Sequence, residues 1–241
     1  MNEAQIKAVL RAFVHDLIGT TSANAAFSQI LSEEYADIID ARGLKWLHLV
    51  STEYALTHTK LKRLSQYSQL FNYELLYEPC QLDVLINSCN QIYNEQLTVE
   101  FTGEPCAVIS KELLSIYFSE LMSNTVKHGT PEHMTDKPAL TACIQYHEAN
   151  GSHHFMYCDN GIGIHTNDID YVLQPLNTLG ESHDDNASAG LGFSILLRIA
   201  ELLSGNLSVH GFTDEQQSEF TLNGHVENSL GLKVILTIPV A

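Results

Sequence analysis

The first long segment carries apolar side chains at the spacing of a helix that packs against other helices. Its apolar positions alternate between four and three residues apart, with polar residues at two positions of the series. That heptad spacing predicts a seam between packed helices. The apolar members of the seam are Ile6, Leu10, Phe13, Leu17, Phe27 and Leu31, and the polar members are Thr20 and Asn24.

A second helical pattern of similar length follows a break at 36–43, where Gly43 can end or restart a helix. Two such patterns predict an antiparallel helical hairpin. Because a lone hairpin buries a two-sided seam poorly, we predict that two chains form a dimeric four-helix bundle. The alternative is a monomer whose hairpin packs on its own C-terminal domain.

Near residue 76 the pattern changes to mixed helices and strands, which predicts a hairpin domain at 1–75 and a second domain at 76–241. Strands grouped in hairpins, with helices between the groups, predict an α+β sandwich whose helices cover one face of a mostly antiparallel sheet. The predicted helices are 82–93, 111–128 and 193–204, and the predicted strands are 97–101, 140–146, 153–159, 206–211, 219–224 and 233–239.

Composition and charge limit the kinds of partner that the protein can bind and the cellular compartment in which it is expected. The formal charge is −17, which argues against nonspecific binding to nucleic acid or to anionic membranes. Five scattered cysteines without a CxxC pair favour a reducing compartment. Since we find no signal peptide and no apolar run of bilayer length, we expect a cytoplasmic protein. The adjacent His153 and His154 fit the start of a strand after the Asn150-Gly151 turn better than a metal site.

His15 lies on the outward face of the first helix. It stands two residues from both Phe13 and Leu17, which places it about 200° around the helix from each. The imidazole is therefore expected to point away from the seam and toward water. Gly19, one turn later, leaves open space beside it, and Asp16 supplies an adjacent carboxylate. An accessible imidazole of this kind suits a group that a reactant must approach.

Three motifs in the second domain carry polar chemistry. In the first, Glu120, Asn124 and Lys127 share one helix face, where hard oxygen ligands suit Mg²⁺ and the ammonium suits phosphate. In the second, "DNGIGI", Asp159 ends an apolar strand and can accept a hydrogen bond from an exocyclic amine such as that of adenine. In the third, "SAGLGFSI", glycines precede a helix N-terminus, which favours phosphate.

The order and spacing of these motifs resemble the N, G1 and G2 boxes of the ATP-binding fold shared by sensor histidine kinases, DNA gyrase, a heat-shock chaperone family and the MutL mismatch-repair proteins. The segment Leu173–Leu176 between them resembles the kinase F box. With "VHDL" upstream in a helical hairpin, the whole chain is similar to a histidine kinase transmitter core. Such a core joins a dimerisation and phosphotransfer hairpin to a catalytic ATP-binding domain of the GHKL (Bergerat) type.

The resemblance implies a histidine kinase that uses ATP and Mg²⁺, with His15 as phosphoacceptor. Asp16 would orient the imidazole or take its proton. The implied partners are a second copy of the chain, the receiver domain of a response regulator, and a separate sensor or upstream protein. That last expectation arises because the resemblance leaves no room in the chain for a sensor domain.

The resemblance also implies a role for each motif residue in the nucleotide site. Mg²⁺ would be held by Glu120 and Asn124, and the phosphates would be lined by Lys127 and His128. The adenine amine would be read by Asp159, and the base pocket would be shaped by Gly161 and Gly163. A phosphate-covering lid would be anchored by Gly190, Leu191 and Gly192.

The match departs from the kinase pattern around the histidine. The H box usually has a basic residue three positions after the histidine and a proline five positions after, where this chain has Ile18 and Thr20. Gly19 occupies the position that many such kinases use for phosphatase action, which puts that activity in doubt. In the G2 box, Ser188 replaces the first glycine.

Other functions fit parts of the sequence. "HDLIG" also resembles the ChpT-like histidine phosphotransferases, which relay phosphoryl groups between receiver domains and typically have an eroded nucleotide pocket. The retained motif residues favour a kinase over such a relay. A second alternative is an anti-sigma-factor-like serine kinase or binding module, in which the hairpin only dimerises. His15 could also be an ordinary surface residue. Phosphorylation of His15 would exclude the serine-kinase or binding-module alternative.

Overall fold

The computed structural model describes residues 3–130, 139–179, 190–212, 218–222, 225–229 and 231–240, with side chains described from residue 12 onward and outside 213–230. The chain divides into two compact units. One comprises Met1–Tyr73 and Thr178–Leu191, and the other comprises Glu74–Asn177 and Gly192–Ala241.

Two long helices, α1 (Glu3–Glu34) and α2 (Ala41–Gln69), form the hairpin. The connection lies in the segment where the sequence predicts a break. Asp40 ends it as the N-cap of α2, because its Oδ1 accepts a hydrogen bond from the amide of Gly43 at 2.7 Å. An N-cap carboxylate accepts a hydrogen bond from one of the free amides at the start of a helix, and the helix dipole stabilises its negative charge there.

Within one chain, α2 covers a stripe of α1 that neighbours the predicted seam. The buried residues of the described part of α1 are Val14, Thr21 and Ser28, at seven-residue spacing. The hydroxyls of Thr21 and Ser28 donate to backbone carbonyls one turn earlier, at 2.9 and 3.0 Å, so these small polar groups are satisfied against a close neighbour. The predicted seam residues Phe13 and Phe27 are instead 59% and 63% exposed in the single chain.

The second unit is built on a mixed five-stranded sheet, which confirms the predicted α+β class. Its strand order is β2-β4-β5-β9-β6, with β2 parallel to β4 and the remaining pairs antiparallel. Separate two-stranded ladders join β1 to β3 and β7 to β8. The strands are β1 (Glu78–Gln81), β2 (Leu97–Gly103), β3 (Cys106–Ile109), β4 (Leu140–Ala149), β5 (Ser152–Asp159), β6 (Asn206–His210), β7 (Ser218–Leu222), β8 (His225–Ser229) and β9 (Lys233–Pro239).

Helices of this unit bury apolar side chains against the sheet. They are α3 (Leu82–Asn90), α4 (Lys111–His128), the single turn α5 (Ile169–Val172) and α6 (Gly192–Leu202). The rings of Phe118 on α4 and Phe155 on β5 meet edge to face, with centroids 6.0 Å apart. Tyr117 and Tyr157 are fully buried beside them. This packing holds α4 against the C-terminal half of β5, where the polar motifs begin.

The turn between β4 and β5 is the one predicted from Asn150-Gly151. Both residues have positive φ, 53° and 71°, as the two central positions of a type I′ hairpin turn require. None of the helices in the described part of the chain combines the length and apolarity needed to cross a bilayer.

Candidate functional site

Asp159, the last residue of β5, presents a buried carboxylate that three donors hold in place. Its side chain is 3% exposed. Oδ1 accepts from the amides of Gly161 at 3.0 Å and Leu232 at 3.1 Å, and Oδ2 accepts from the hydroxyl of Thr125 at 2.6 Å. Burial raises the pKa of Asp159, and the three hydrogen bonds oppose that rise. Since a carboxylate offers about four acceptor positions, one remains for a ligand.

The loop after β5 lies against the end of α4 because it contains glycines. A Cβ at Gly161 would lie 2.8 Å from the Cα of Gly129, so only glycine fits this approach. The amide of Ile162 donates to the carbonyl of Gly129 at 3.0 Å, which joins the loop to the end of α4. Gly163 has a φ of 67°, in the region that favours glycine. The predicted base-site glycines therefore shape backbone that side chains would block.

Asn124 on α4 lies against Gly192, the first residue of α6. A Cβ at Gly192 would lie 3.1 Å from both terminal atoms of the Asn124 amide. The Nδ2 atom of Asn124 is buried and has no hydrogen-bond partner in the described structure. A buried amide without a partner is costly in a closed core and suits a site that receives a polar ligand. The first and third motifs thus meet at this point.

The remaining residues of the first motif follow the same helix. Glu120 is buried one turn before Asn124, while Lys127 and His128 are exposed in the last turn of α4. Among the residues that the structure describes, no group of three His, Cys, Asp or Glu side chains is placed to hold a metal. Glu120 and Asn124 would therefore be a partial ligand set, as is common for Mg²⁺ that arrives with substrate phosphates.

The third motif leads directly into a helix. Gly190 has a φ of 65°, Leu191 is buried, and Gly192 begins α6. The positive φ of Gly190, two residues before the helix, is a conformation that glycine adopts most readily. Ser188 and the rest of 180–189 lie outside the described residues.

Three residues that sequence reasoning missed complete the second motif. Thr125 contacts both Asp159 and the hydroxyl of Tyr157, the latter at 2.7 Å. Asn160 accepts from the amide of Thr141 at 2.8 Å and donates to the carbonyl of Ala139 at 3.0 Å, which ties the motif to the start of β4. Tyr157 stands two residues before Asp159, on the same strand face, and that period of two was a usable signal.

In the first unit, the side chains of His15 and Asp16 are 88% and 85% exposed. Nδ1 of His15 lies 3.6 Å from Oδ1 of Asp16, which is within ion-pair range and too long for a hydrogen bond. A Cβ at Gly19 would meet no atom within 4 Å, so the space one turn from His15 is open.

The adjacent His153 and His154 point to opposite faces of the sheet. His153 is 2% exposed, and its Nδ1 lies 2.9 Å from the hydroxyl of Tyr146. His154 lies on the other face, where its ring stacks on that of His147 and its Nδ1 is 3.3 Å from the hydroxyl of Thr237. The two adjacent imidazoles therefore cannot share one ion.

Comparison with known proteins agrees with this geometry. The family model described as "Histidine kinase-, DNA gyrase B-, and HSP90-like ATPase" matches residues 110–241. That range is more than half of the chain and includes all three motifs. The chain therefore belongs to the histidine kinase-, DNA gyrase B- and HSP90-like ATPase family. No curated protein matches it by sequence.

Solved structures with the same fold include several histidine kinases. Full-length ShkA, determined in complex with AMPPNP, aligns with 97% of this chain at a TM-score of 0.65 and 13% identity. The Acinetobacter baumannii histidine kinase AdeS aligns over 92% of this chain and 95% of its own, with a TM-score of 0.56 and 13% identity. The mycobacterial sensor histidine kinase MprB aligns with 68% of this chain, with a TM-score of 0.50 and 15% identity. This chain spans 46% of the length of ShkA.

Proposed function

We propose that this protein is a two-component histidine kinase core. It transfers the γ-phosphoryl group of Mg-ATP to His15 and then to an aspartate of a response-regulator receiver domain. The observation that carries the proposal is the buried carboxylate of Asp159, held by three donors, on the same unit as the unpartnered amide of Asn124 against Gly192. A protein without a nucleotide ligand would gain little from keeping both arrangements.

Each part of the nucleotide has residues suited to it. The remaining acceptor position of Asp159 suits the adenine amine, and Gly161 and Gly163 leave room for the ring. Lys127 and His128, exposed at the end of α4, suit the phosphates. Gly190, Leu191 and Gly192 would anchor the segment that covers the phosphates. Glu120 and Asn124 would hold Mg²⁺, which would neutralise phosphate charge during transfer.

His15 has the exposure that a phosphoacceptor requires. A nitrogen of its imidazole would attack the γ-phosphorus, the bond to the bridging oxygen of ADP would break, and the imidazole proton would pass to Asp16 or water. Phosphohistidine is a reactive phosphoramidate, so onward transfer to a receiver aspartate needs little beyond a docking surface. The open space at Gly19 leaves such a surface beside His15.

The proposed partners follow from the same reading. A second copy of the chain would cover the exposed Phe13 and Phe27, which forms the dimeric four-helix bundle. We propose that the protein acts in the cytoplasm, that a separate sensor or upstream protein supplies the input, and that neither nucleic acid nor a membrane is a partner.

The decisive experiment is incubation with γ-³²P-labelled Mg-ATP, using the unaltered chain, His15→Ala and Asp159→Asn. We expect acid-labile, alkali-stable label on the unaltered chain and on neither variant. His48→Ala is a matched control, because His48 is an exposed histidine of the same hairpin, and it should retain the label.

Other outcomes would assign other functions. If His15 takes label only from a phosphorylated receiver domain, the protein is a relay of the ChpT type. If label instead appears on a serine of a partner protein, the serine-kinase alternative holds. A labelling rate that stays constant with every candidate upstream protein would count against the proposed external input.

A further inference from the structure

Thr125 is placed to control the direction in which a proton on Asp159 can point. Its hydroxyl oxygen lies 2.6 Å from Oδ2 of Asp159, 2.7 Å from the hydroxyl of Tyr157 and 3.2 Å from the carbonyl oxygen of Leu121. The side chains of Thr125 and Tyr157 are buried, 3% and 0% exposed. A hydroxyl has one proton and two acceptor positions, so these three neighbours restrict it to few arrangements.

Two arrangements satisfy every atom of the network. With Asp159 ionised, Thr125 donates to Oδ2 and accepts from Tyr157. With Asp159 protonated on Oδ2, the carboxyl proton is donated to Thr125, which turns its own proton toward the carbonyl of Leu121. Tyr157 donates to Thr125 in both cases. The network therefore accommodates either charge state of the carboxyl group without leaving a buried polar atom unpaired.

The side of Asp159 that is left for a ligand is an acceptor in both arrangements. Oδ1 is already occupied by the amides of Gly161 and Leu232. Oδ2 keeps one lone pair, and any proton that it carries is held by Thr125. An acceptor pairs with the 6-amino group of adenine, whereas it opposes the 6-oxo oxygen of hypoxanthine or guanine. A site built around a buried hydrogen bond rejects a mismatched analogue strongly.

We propose that Thr125 is a positioning residue that keeps Asp159 an acceptor toward the ligand and thereby selects 6-amino over 6-oxo purine nucleotides. This inference rests on the proposed function, in which Asp159 reads the base of ATP. The burial of Asp159 adds to the argument, because it raises the pKa of that carboxyl group. Without the hydroxyl of Thr125, a proton on Oδ2 would be donated toward the ligand, where a 6-oxo oxygen can accept it.

The test compares binding of Mg-ATP and Mg-ITP to the full chain by isothermal titration calorimetry. ITP has the 6-oxo group in place of the 6-amino group and keeps the same phosphates. Thr125→Val preserves shape and removes the hydroxyl, and we expect it to lower the ATP-to-ITP affinity ratio by about tenfold. Thr125→Ser restores a hydroxyl and should restore the ratio, which an effect of packing alone would not do.

Tyr157→Phe is the matched control. It removes the other hydroxyl of the network and leaves the contact between Thr125 and Asp159, so it should retain the ratio of the unaltered chain. Circular dichroism would establish that each variant folds. If Thr125→Val fails to fold, Thr125→Ala takes its place with the same expected result.

If Thr125→Val keeps the ATP-to-ITP affinity ratio of the unaltered chain while Asp159→Asn loses the preference for ATP, the inference is overturned and the proposed function stays intact. An unchanged ratio in Asp159→Asn would mean that Asp159 does not read the base, and the proposed nucleotide site would then fail together with the inference. Absence of binding of both nucleotides by the unaltered chain would overturn both proposals.

Discussion

At the scale of single residues, Asp159 combines a stability cost with a proposed ligand role. Its side chain is buried, with 3% exposed to water. The donors Gly161, Leu232 and Thr125 offset part of the desolvation. Burial nevertheless raises the pKa of Asp159, so the folded state holds this proton more tightly than the unfolded state. The charged form is thus less favourable in the folded protein than in the unfolded chain.

We therefore expect Asp159→Asn to stabilise the fold while it weakens the binding of Mg-ATP. The new amide can donate to Thr125, which then donates to the carbonyl of Leu121 at 3.2 Å, so no buried atom is left unpaired. The expected gain in unfolding free energy at pH 7 is about 1 kcal/mol, typical of a single stabilising substitution at a functional site. Urea denaturation measures the gain, and a loss of stability would contradict it.

His153 is the second buried titratable residue with a consequence of its own. Burial lowers the pKa of His153 below 6.5, and the neighbouring His154 adds to this shift. Glu148 opposes the shift, because its Oε2 lies 3.8 Å from Nδ1 of His153. A backbone hydrogen bond to Val108 also opposes the shift, but burial outweighs both opposing contributions. The neutral ring therefore fits this position better than the charged ring.

Because the folded state disfavours protonated His153, its contribution to stability is complete above pH 6.5 and is lost as the pH falls below that value. We expect His153→Gln to flatten the fall in unfolding free energy as the pH drops below 6.5, where one proton contributes up to ~1.4 kcal/mol per pH unit. His154→Gln, on the opposite face of the same strand, should keep most of the fall, because His154 makes the smallest contribution to the shift. Equal slopes in all three proteins would refute the role of His153.

At the scale of elements, the junction between α4 and α6 depends on a missing side chain. Gly192 begins α6 where a methyl group would lie 3.1 Å from both terminal atoms of Asn124. That separation is short for a carbon beside an amide, so either the helix start or the Asn124 side chain must shift. Because Asn124 is a proposed Mg²⁺ ligand, a small shift affects function more than stability.

We expect Gly192→Ala to weaken Mg-ATP binding by about tenfold, the usual effect of disturbing one polar contact in a site. Its thermal midpoint should stay near that of the unaltered protein, as calorimetry would show. Gly19→Ala is the matched control, because a methyl there meets no atom within 4 Å. That control should stabilise α1 by about 1 kcal/mol and leave nucleotide affinity unchanged.

At the scale of the whole molecule, α1 leaves one apolar stripe uncovered in the single chain. Phe13, Phe27 and Leu31 are 59%, 63% and 43% exposed, although they keep the spacing of a packed seam. Side chains of this size lose favourable free energy when they remain in water. This exposure supports the proposed pairing of two chains.

We expect Phe27→Asp to convert the proposed homodimer to a monomer, because a carboxylate would be buried without a partner in the seam. Light scattering coupled to size-exclusion chromatography measures the mass. Ser22→Asp is the control, since Ser22 is exposed seven residues after His15 on the same helix face, and it should remain dimeric. A monomeric unaltered chain would contradict the proposed pairing.

Local signals in the chain were sufficient for most helices and for the principal sheet. The predicted helix 111–128 coincides with α4, and the Asn150-Gly151 turn is present as predicted. Short elements were missed, notably β1 and β3, because four residues are too few to show a periodic pattern. The candidate residues of the three motifs were recognised from their spacing, while their detailed roles stay predictions.

Contacts between residues distant in the chain required the tertiary structure. Spacing predicts that α1 has a packed seam, but only packing decides that α2 covers Val14, Thr21 and Ser28. Likewise, nothing near Thr125 in the sequence indicates its bond to Asp159, which lies 34 residues away. Periodicity and turn preference are properties of neighbouring residues and can be read along the chain. The partner of a buried hydroxyl, by contrast, depends on which elements fold against each other.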